Sequence, residues 1–376
     1  MKFTKLLMSL CVGASLALIS ASPASARELK VGVGLPPSHA MYYSLDVFGK
    51  TLKEKTAGEL EVKLFPLSLL ALNQMFAGVR DGVVDVGYVL PALFATDLPE
   101  TQLPFNLAML GVNPMAMAGA MTEYNFACQE CLAERLKHNH VYLGSASTAP
   151  SVIMSNKKIS TLDELKGKKL RVVAAPWSRW AQSFGVVPVT LSGNELFEAL
   201  SQGTVDGAVA APTELTASRL VDLVKHITVG VPAGTYHGID GNNVNRTTWR
   251  SLTESQRRAF LDSAAMSIAT MTWTNFSDGN RNIKEAQQKG IQVHQAPQDV
   301  MARQKTFIDA DLTTVAQAAE KNYGTKTASE KAAKFRQLVE KWEKLTPEAG
   351  NWDAKALAEI YRREIFSKID AKTYGM

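Results

Sequence analysis

The chain has 376 residues, of which 46% are hydrophobic and 20% are charged, and its formal net charge is +5. This composition is typical of a folded protein and excludes an intrinsically disordered chain. The length favours two lobes of ordinary domain size, and the sequence has no run of Lys and Arg interleaved with aromatic residues that would indicate nucleic-acid binding.

Residues 1–26 have the pattern of a secretory signal peptide. Lys2 and Lys5 give a positive start, residues 6–19 form an apolar run, and Ala-Ser-Ala at residues 24–26 forms a small-residue cleavage site. The apolar run is too short for an ordinary transmembrane helix. Cleavage would remove both lysines and lower the net charge from +5 to +3, which is too little to indicate a partner. We therefore predict a periplasmic protein.

After the signal segment the chain alternates between strand and helix patterns. The predicted elements are strands at residues 29–33, 61–65 and 83–89 and helices at residues 39–56 and 73–80. Such alternation predicts an α/β sheet with crossover helices.

A weak internal repeat relates residues 73–91 to residues 194–212 at a constant offset of 121. Each copy predicts an Asn N-cap, a short helix, a Gly at its end, a Val-Asp pair entering a strand, and a Pro ending that strand. The repeat therefore predicts two similar α/β lobes. The matching positions are Asn73/Asn194, Phe76/Phe197, Gly82/Gly203, Val84/Val205, Asp85/Asp206 and Pro91/Pro212.

The two cysteines of the mature chain, Cys128 and Cys131, lie in a predicted helical stretch at residues 113–139. In an oxidising compartment their spacing favours a disulfide or a buried thiol pair. A metal site would need two further ligands, and only His138 and His140 are close in sequence. We expect no metal and no cofactor.

The second half of the chain adds a long helix and a helical tail. Residues 140–154 and 168–174 predict strands, and residues 160–164 open a short helix. From residue 247 to about residue 290 the pattern is nearly continuous helix, with turn-like residues at 277–280, and it is long enough to pack on both lobes. Two or three further helices follow, with these expected packing residues: Trp342, Leu345, Leu357 and Tyr361.

Motifs of common enzyme classes are missing from the sequence, including the phosphate-binding loop, the zinc-protease helix and the serine nucleophile elbow. Gly32 and Gly34 follow a strand, but Pro36 and Pro37 stand where a dinucleotide-binding helix would open. Nothing in the sequence therefore requires catalysis, and we predict that the protein is not an enzyme.

Arg171 is the most informative single residue, because it lies in an otherwise apolar predicted strand. Its guanidinium offers a planar fork of donors that matches a carboxylate. A lone arginine on a strand is usually solvated or paired with a structural acid, so the residue alone leaves both interpretations open.

An ordered set of short motifs resembles one known family. The set comprises Pro36-Pro37-Ser38-His39 after a strand, Gly82-x-x-Asp85-Val-Gly87, Leu103-Pro104-Phe105, Leu165 to Arg171-Val172, Glu195 to Asp206-Gly207, Val244-Asn245 and Trp249-x-x-Leu252. Over about residues 29–296 the chain resembles the DctP-type solute-binding proteins of TRAP transporters.

The resemblance implies a two-lobe periplasmic binding protein fold with a hinge, a long spanning helix and a C-terminal helical extension. It also implies that Arg171 holds the carboxylate of an organic acid, which the protein delivers to TRAP membrane subunits. The expected domains are a signal peptide at 1–26, lobe I at 27–148 plus about 236–275, lobe II at 149–235 plus about 276–300, and the extension at 301–376. The protein is expected to be a monomer or a homodimer.

At several positions where members of the family carry larger or polar side chains, this sequence has small residues, and these differences indicate the kind of ligand. Ser151, Ala174, Gly193 and Ala210 stand where related receptors carry larger or hydrogen-bonding side chains. Such a pocket leaves polar groups of a sugar acid unpaired, at a cost of about 1–3 kcal/mol each. We therefore expect a monocarboxylate with an apolar or aromatic body. The alternatives are a dicarboxylate or sugar-acid receptor of the same family, or an ABC-type binding protein.

Six further residues are candidates for substrate binding, and each has a structural alternative. The aromatic candidates could instead pack in a core, and those at helix starts could instead be caps. The candidates are Trp177, Gln74, Asn194, Tyr236, His237 and His39.

Overall fold

The computed structural model describes residues 26–191 and 193–376, so the predicted signal peptide lies almost wholly outside the described residues. The strands of the described part are β1 (Arg27–Gly32), β2 (Leu60–Phe65), β3 (Val86–Val89), β4 (His140–Val141), β5 (Ser145–Ala146), β6 (Val152–Ser155), β7 (Lys169–Val172), β8 (Val187–Thr190), β9 (Gly207–Ala210), β10 (His226–Val229), β11 (Ile239–Asn245) and β12 (Gln292–Gln295). The helices are α1 (Ala40–Lys55), α2 (Met75–Arg80), α3 (Pro99–Asn106), α4 (Pro114–Ala127), α5 (Gln129–Lys137), α6 (Leu162–Leu165), α7 (Ala175–Ser183), α8 (Leu196–Ser201), α9 (Glu214–Ala217), α10 (Arg246–Ser251), α11 (Glu254–Gln288), α12 (Gln298–Tyr323), α13 (Ala328–Leu345) and α14 (Ala354–Glu364).

The strands form two six-stranded sheets, and each sheet with the helices packed on it is called a lobe below. The first sheet has the order β2-β1-β3-β11-β4, with β5 also paired to β11. In it β1, β2 and β3 are parallel and β11 is antiparallel to its neighbours. The second sheet has the order β12-β10-β6-β9-β7-β8, and β7, β8 and β9 are parallel. The two sheets confirm the predicted α/β fold.

The internal repeat occupies the same structural role in both lobes. The Asp85 carboxylate accepts a hydrogen bond of 2.8 Å from the Lys30 backbone N–H on the neighbouring strand. The Asp206 carboxylate accepts the equivalent bond of 2.8 Å from the Lys169 N–H. Each aspartate therefore joins the start of its own strand to the adjacent parallel strand.

The predicted asparagine N-caps of the repeat are wrong. Both Asn73 and Asn194 lie inside a short 3-10 turn, and the residues that precede α2 and α8 are Gln74 and Glu195. The glycines after the two helices match the prediction, since Gly82 and Gly203 have φ angles of +74° and +70°. The extra turn displaces each helix start by two residues.

Two chain segments between the lobes lie side by side, at residues 147–151 and 230–238. The Thr148 N–H donates to the Tyr236 carbonyl at 3.0 Å, and the Ser151 N–H donates to the Gly234 carbonyl at 3.0 Å. These bonds make a narrow connection that can act as a hinge.

The long helix α11 is the third connection, and its predicted interruption is wrong. Residues 277–280 are helical, and the break instead falls at Leu252 and Thr253. There the Thr253 hydroxyl accepts from the Gln256 N–H at 3.2 Å, and the Gln256 side chain accepts from the Thr253 N–H at 3.0 Å. Gly279 has a packing role, because a Cβ at this position would lie 3.0 Å from Ala149 of the hinge. Helix α11 contacts α1 and β11 in the first lobe and α9 and β12 in the second.

The tail forms three helices that pack on the first lobe. The Trp342 indole N–H donates to the Glu123 carboxylate at 2.7 Å, and the Tyr361 hydroxyl donates to the Met115 carbonyl at 2.7 Å. Leu357 is fully buried and Leu345 is partly buried in the same core. The structure therefore confirms the predicted packing residues of the tail.

Helix α12 also links the two lobes. The Arg179 guanidinium of α7 donates to both carboxylate oxygens of Asp311 on α12, at 2.7 and 2.9 Å. The same guanidinium donates to the Asn106 carbonyl of α3 at 2.7 Å. One side chain of the second lobe is thereby joined to the tail and to the first lobe.

Cys128 and Cys131 form a disulfide at the start of α5, in agreement with the favoured interpretation. Within the part of the chain that the structure describes, no three His, Cys, Asp or Glu side chains are placed to hold a metal ion. None of the described helices is both long and apolar enough to span a bilayer.

Candidate functional site

Arg171 lies near the carboxyl end of β7, where the parallel strands of the second sheet finish. Its side chain is only 4% exposed, and its Nε–H donates to the Leu191 carbonyl at 2.9 Å, just beyond β8. Ligands of α/β sheets gather at this edge. Burial lowers the pKa of the guanidinium, and the nearby Glu214 and Glu195 carboxylates act in the opposite direction. The result is a fixed, buried cationic group at the predicted ligand-binding edge.

Tyr236 lies in the hinge and contacts both hydrophobic cores while remaining partly exposed. Its ring stacks on Trp177 with the ring centres 6.0 Å apart and an angle of 12° between the planes. Burial raises the pKa of the Tyr236 hydroxyl, so this group is protonated at neutral pH. Ala174, which directly precedes α7, likewise packs against both cores. The Tyr236 ring of the hinge and the small Ala174 side chain therefore both lie where the two cores meet.

Trp177 is fully buried in the core of the second lobe, and its indole N–H has no hydrogen-bond partner. This placement favours a supporting role behind Tyr236. A direct contact between Trp177 and a ligand stays a prediction.

His39 precedes α1 and caps it, as the structural alternative expected. Its Nδ1 accepts from the Met41 N–H at 3.1 Å, so the ring proton is on Nε2 when the imidazole is neutral. Burial lowers the pKa of His39, and the Glu214 carboxylate of the second lobe acts in the opposite direction. His39 is therefore a neutral donor on the first lobe that lies near an acid of the second lobe.

The remaining candidates have structural contacts of their own, and their ligand roles stay predictions. The Gln74 side chain is exposed and accepts from the Ala71 N–H at 3.0 Å in its own turn. His237 is fully buried, with Nδ1 3.1 Å from the Thr235 carbonyl and Nε2 3.0 Å from the Pro104 carbonyl. Asn194 lies on the turn that follows β8, and its side chain is outside the described part.

Sequence reasoning missed the two acids that act on Arg171. Glu195 follows Asn194 on the turn after β8, and Glu214 begins α9 shortly after β9. Both acids follow strands that flank β7. Their position just after a strand end was the sequence signal that could have identified them as site residues. The edge therefore combines one buried cation with two acids, and one of these acids, Glu214, also acts on the neutral His39 of the first lobe.

A cavity of about 400 Å³ lies elsewhere, between α5 and the last residues of the chain. Arg135 borders this cavity, but its guanidinium is already 2.6 Å from the Asp240 carboxylate. A ligand carboxylate there would compete with a buried ion pair. The edge around Arg171 is therefore the better candidate site.

Comparison with known protein families shows which family the chain belongs to. Residues 31–319 match the DctP family, described as bacterial extracellular solute-binding protein, family 7. The chain belongs to this family. It is a TRAP-transporter solute-binding protein of the DctP type, so the ABC-type alternative is set aside.

Two curated relatives illustrate the distance to characterised proteins. The outer membrane transporter protein TsaT of Comamonas testosteroni is 26% identical over 296 residues, covering 76% of this chain and 85% of that protein. The sialic acid-binding periplasmic protein SiaP of Vibrio cholerae is 24% identical over 251 residues, covering 63% of this chain and 73% of SiaP.

Solved structures confirm the two-lobe fold. A TRAP solute-binding protein from Rhodoferax ferrireducens, in complex with copurified benzoate, has a TM-score of 0.74 at 19% identity and covers 85% of this chain and 100% of its own. A TRAP periplasmic solute-binding protein from Bordetella bronchiseptica with bound mandelate has a TM-score of 0.70 at 20% identity and covers 84% and 99%.

Proposed function

We propose that this protein is a periplasmic receptor that binds an organic monocarboxylate with an apolar or aromatic body and delivers it to TRAP membrane subunits. The observation that carries the proposal is the 4% exposure of Arg171, whose Nε–H is fixed to the Leu191 carbonyl. Removing a guanidinium from water is costly unless charged or polar partners compensate. A ligand carboxylate supplies such a partner through charge-assisted hydrogen bonds.

The surroundings of Arg171 support an apolar or aromatic ligand body. Ala174 and Tyr236 lie where the two cores meet, and Ala210 and Ser151 are 4% exposed at the strand ends. Small side chains leave room for a ring, and the Tyr236 ring offers a surface for stacking. Solved structures of TRAP solute-binding proteins with a similar fold contain benzoate, mandelate and metahydroxyphenylacetate.

The hinge segments and the spanning helix α11 support binding by closure. The paired segments at residues 147–151 and 230–238 form a narrow hinge, and α11 packs on both lobes. Rotation about this hinge would bring the α1 start, with His39, towards the edge that carries Arg171. In this proposal the predicted signal segment at residues 1–26 exports the protein to the compartment where it collects the ligand.

The test is to measure binding of benzoate and mandelate by calorimetry to the mature chain, to Arg171→Met and to the control Lys169→Met. Lys169 is an exposed neighbour on the same strand, so its replacement removes a charge without altering the site. We expect Arg171→Met to bind at least about 100-fold more weakly and the control to match wild type, since bonds to a charged group contribute about 1.5–3 kcal/mol each.

Unchanged binding by a folded Arg171→Met protein would exclude Arg171 as the carboxylate anchor. A clear preference of the wild type for sialic acid or another sugar acid over benzoate would contradict the apolar body. Circular dichroism of each variant shows whether its fold is intact.

A further inference from the structure

Glu214 lies next to the carboxylate-binding edge through the pairing of two parallel strands. Arg171 on β7 is the register partner of Ala208 on β9, and β9 ends two residues later at Ala210. The chain then turns at Pro212 and begins α9 with Glu214. Strand and turn thus place an acid beside the proposed carboxylate anchor.

The turn that carries Glu214 is anchored to the spanning helix. The side-chain amide of Asn282 on α11 is 4% exposed, and it donates to the Pro212 carbonyl at 3.3 Å and to the Thr216 hydroxyl at 2.9 Å. The Ser218 hydroxyl donates to Oε2 of Glu214. A carboxylate offers about four acceptor positions, so this bond leaves capacity for a further donor. The Glu214 carboxylate is therefore both positioned and able to accept again.

Glu214 acts electrostatically on residues of both lobes. It raises the pKa of Arg171 in its own lobe and of His39 in the first lobe, in each case against the larger effect of burial. The acid therefore lies where the two lobes face each other. A ligand carboxylate on Arg171 would come close to this second negative charge.

We propose that Glu214 determines specificity by accepting a hydrogen bond from a hydroxyl or amine group of the ligand whose carboxylate Arg171 holds. The inference rests on the proposed function and narrows it. A ligand without a donor brings its carboxylate near the negative charge of Glu214 with no hydrogen bond to offset the repulsion, which disfavours binding. A ligand with a donor turns the same acid into a charge-assisted acceptor.

The proposal therefore names a chemical class within the apolar and aromatic monocarboxylates. The ligand carries one hydrogen-bond donor in addition to its carboxylate. The effect of this donor on affinity is isolated by comparing probe acids that differ in it. These probes are benzoate against 3-hydroxybenzoate and 4-hydroxybenzoate, and phenylacetate against mandelate and phenylglycine.

The experiment measures the dissociation constant of each probe for wild type, Glu214→Gln, Glu214→Ala and the control Glu198→Gln. Glu198 is an exposed acid on α8 of the same lobe, bonded to Gln202 at 2.8 Å. In wild type and in the control we expect at least one donor-bearing probe to bind about tenfold or more tightly than its parent acid. In both Glu214 variants we expect the preference for the donor-bearing probe over its parent acid to fall to about threefold or less. The parent acid should bind more tightly to these variants than to wild type.

The outcomes separate this inference from the proposed function. If the parent acids bind and depend on Arg171, but donors bring no preference or the preference survives in both Glu214 variants, the role of Glu214 is wrong and the receptor function stands. If no carboxylate binds to wild type, the receptor function itself fails. A preference for phenylglycine over mandelate would identify an ammonium group as the donor, and the reverse would identify a hydroxyl.

Discussion

Replacing Asp240 by Asn would leave a fully buried arginine without its counter-charge. The Asp240 carboxylate on β11 lies 2.6 Å from the Arg135 guanidinium on α5, and the two side chains are 0% and 1% exposed. The Ser145 hydroxyl donates to the same carboxylate at 2.6 Å. The Arg135 guanidinium also lies over the Tyr142 ring, 4.5 Å from its centre. The ion pair thus joins α5 to the sheet of the first lobe.

The expected loss in unfolding free energy follows from this burial. Removing one partner of a buried pair leaves an uncompensated charge and costs about 3–5 kcal/mol. The loss is large against the total stability of a protein, which is about 5–15 kcal/mol. We therefore expect Asp240→Asn to lower the unfolding free energy of the first lobe by about 3–5 kcal/mol in urea titrations followed by circular dichroism. Replacing Arg135 by Met in the same chain should recover part of the loss, because the unpaired charge is then removed.

An exposed pair supplies the matched control. Asp46 and Lys50 of α1 are also 2.6 Å apart, but their side chains are 34% and 75% exposed. Asp46→Asn should cost about 0.5 kcal/mol or less. The reasoning fails if Asp240→Asn is as mild as this control, or if adding Arg135→Met to Asp240→Asn makes the protein less stable still.

Two further predictions concern acid sensitivity and the tail. Burial lowers the pKa of His140 to about 3, and its Nε2 bonds the Phe76 carbonyl at 2.9 Å. Below pH 6.5 the His140 side chain is protonated in the unfolded chain but not in the native protein, so the unfolding free energy should fall by about 1.4 kcal/mol per pH unit down to about pH 3. In urea titrations at several pH values, His140→Gln should reduce the slope of unfolding free energy against pH by that amount. Asp311→Asn, which breaks the paired bonds to Arg179, should cost about 1–3 kcal/mol in the same titration, whereas Asp309→Asn at an exposed pair should cost about 0.5 kcal/mol or less.

The parts of the fold that follow from local residue patterns could be predicted from the sequence. Gly82 and Gly203 occupy left-handed backbone positions that glycine tolerates, and Asp85 and Asp206 bond the next strand in the same way. These positions repeat because each copy faces the same local constraints. The two lobes could therefore be inferred before any packing was known.

Features set by contacts between distant segments could not be predicted in this way. The turn-like residues at 277–280 remain helical, and Gly279 lets α11 pack close to Ala149 of the hinge. The aromatic candidate Trp177 is buried behind Tyr236, and the nitrogens of His237 face two backbone carbonyls. Residue type and spacing alone do not distinguish such core side chains from side chains that line a cleft.

The acid at Glu214 shows why the site is harder to predict than the fold. A guanidinium in an apolar strand is unusual in its own segment, so Arg171 stands out without any tertiary information. An acid at the first position of a short helix is common, because it also interacts favourably with the helix dipole. Its distinguishing property is that it acts on both Arg171 and His39, which are 43 and 175 residues away in the sequence. The anchor for a carboxylate can therefore be found from one segment, whereas the residue proposed to select among carboxylates is defined only when two strands and two lobes come together.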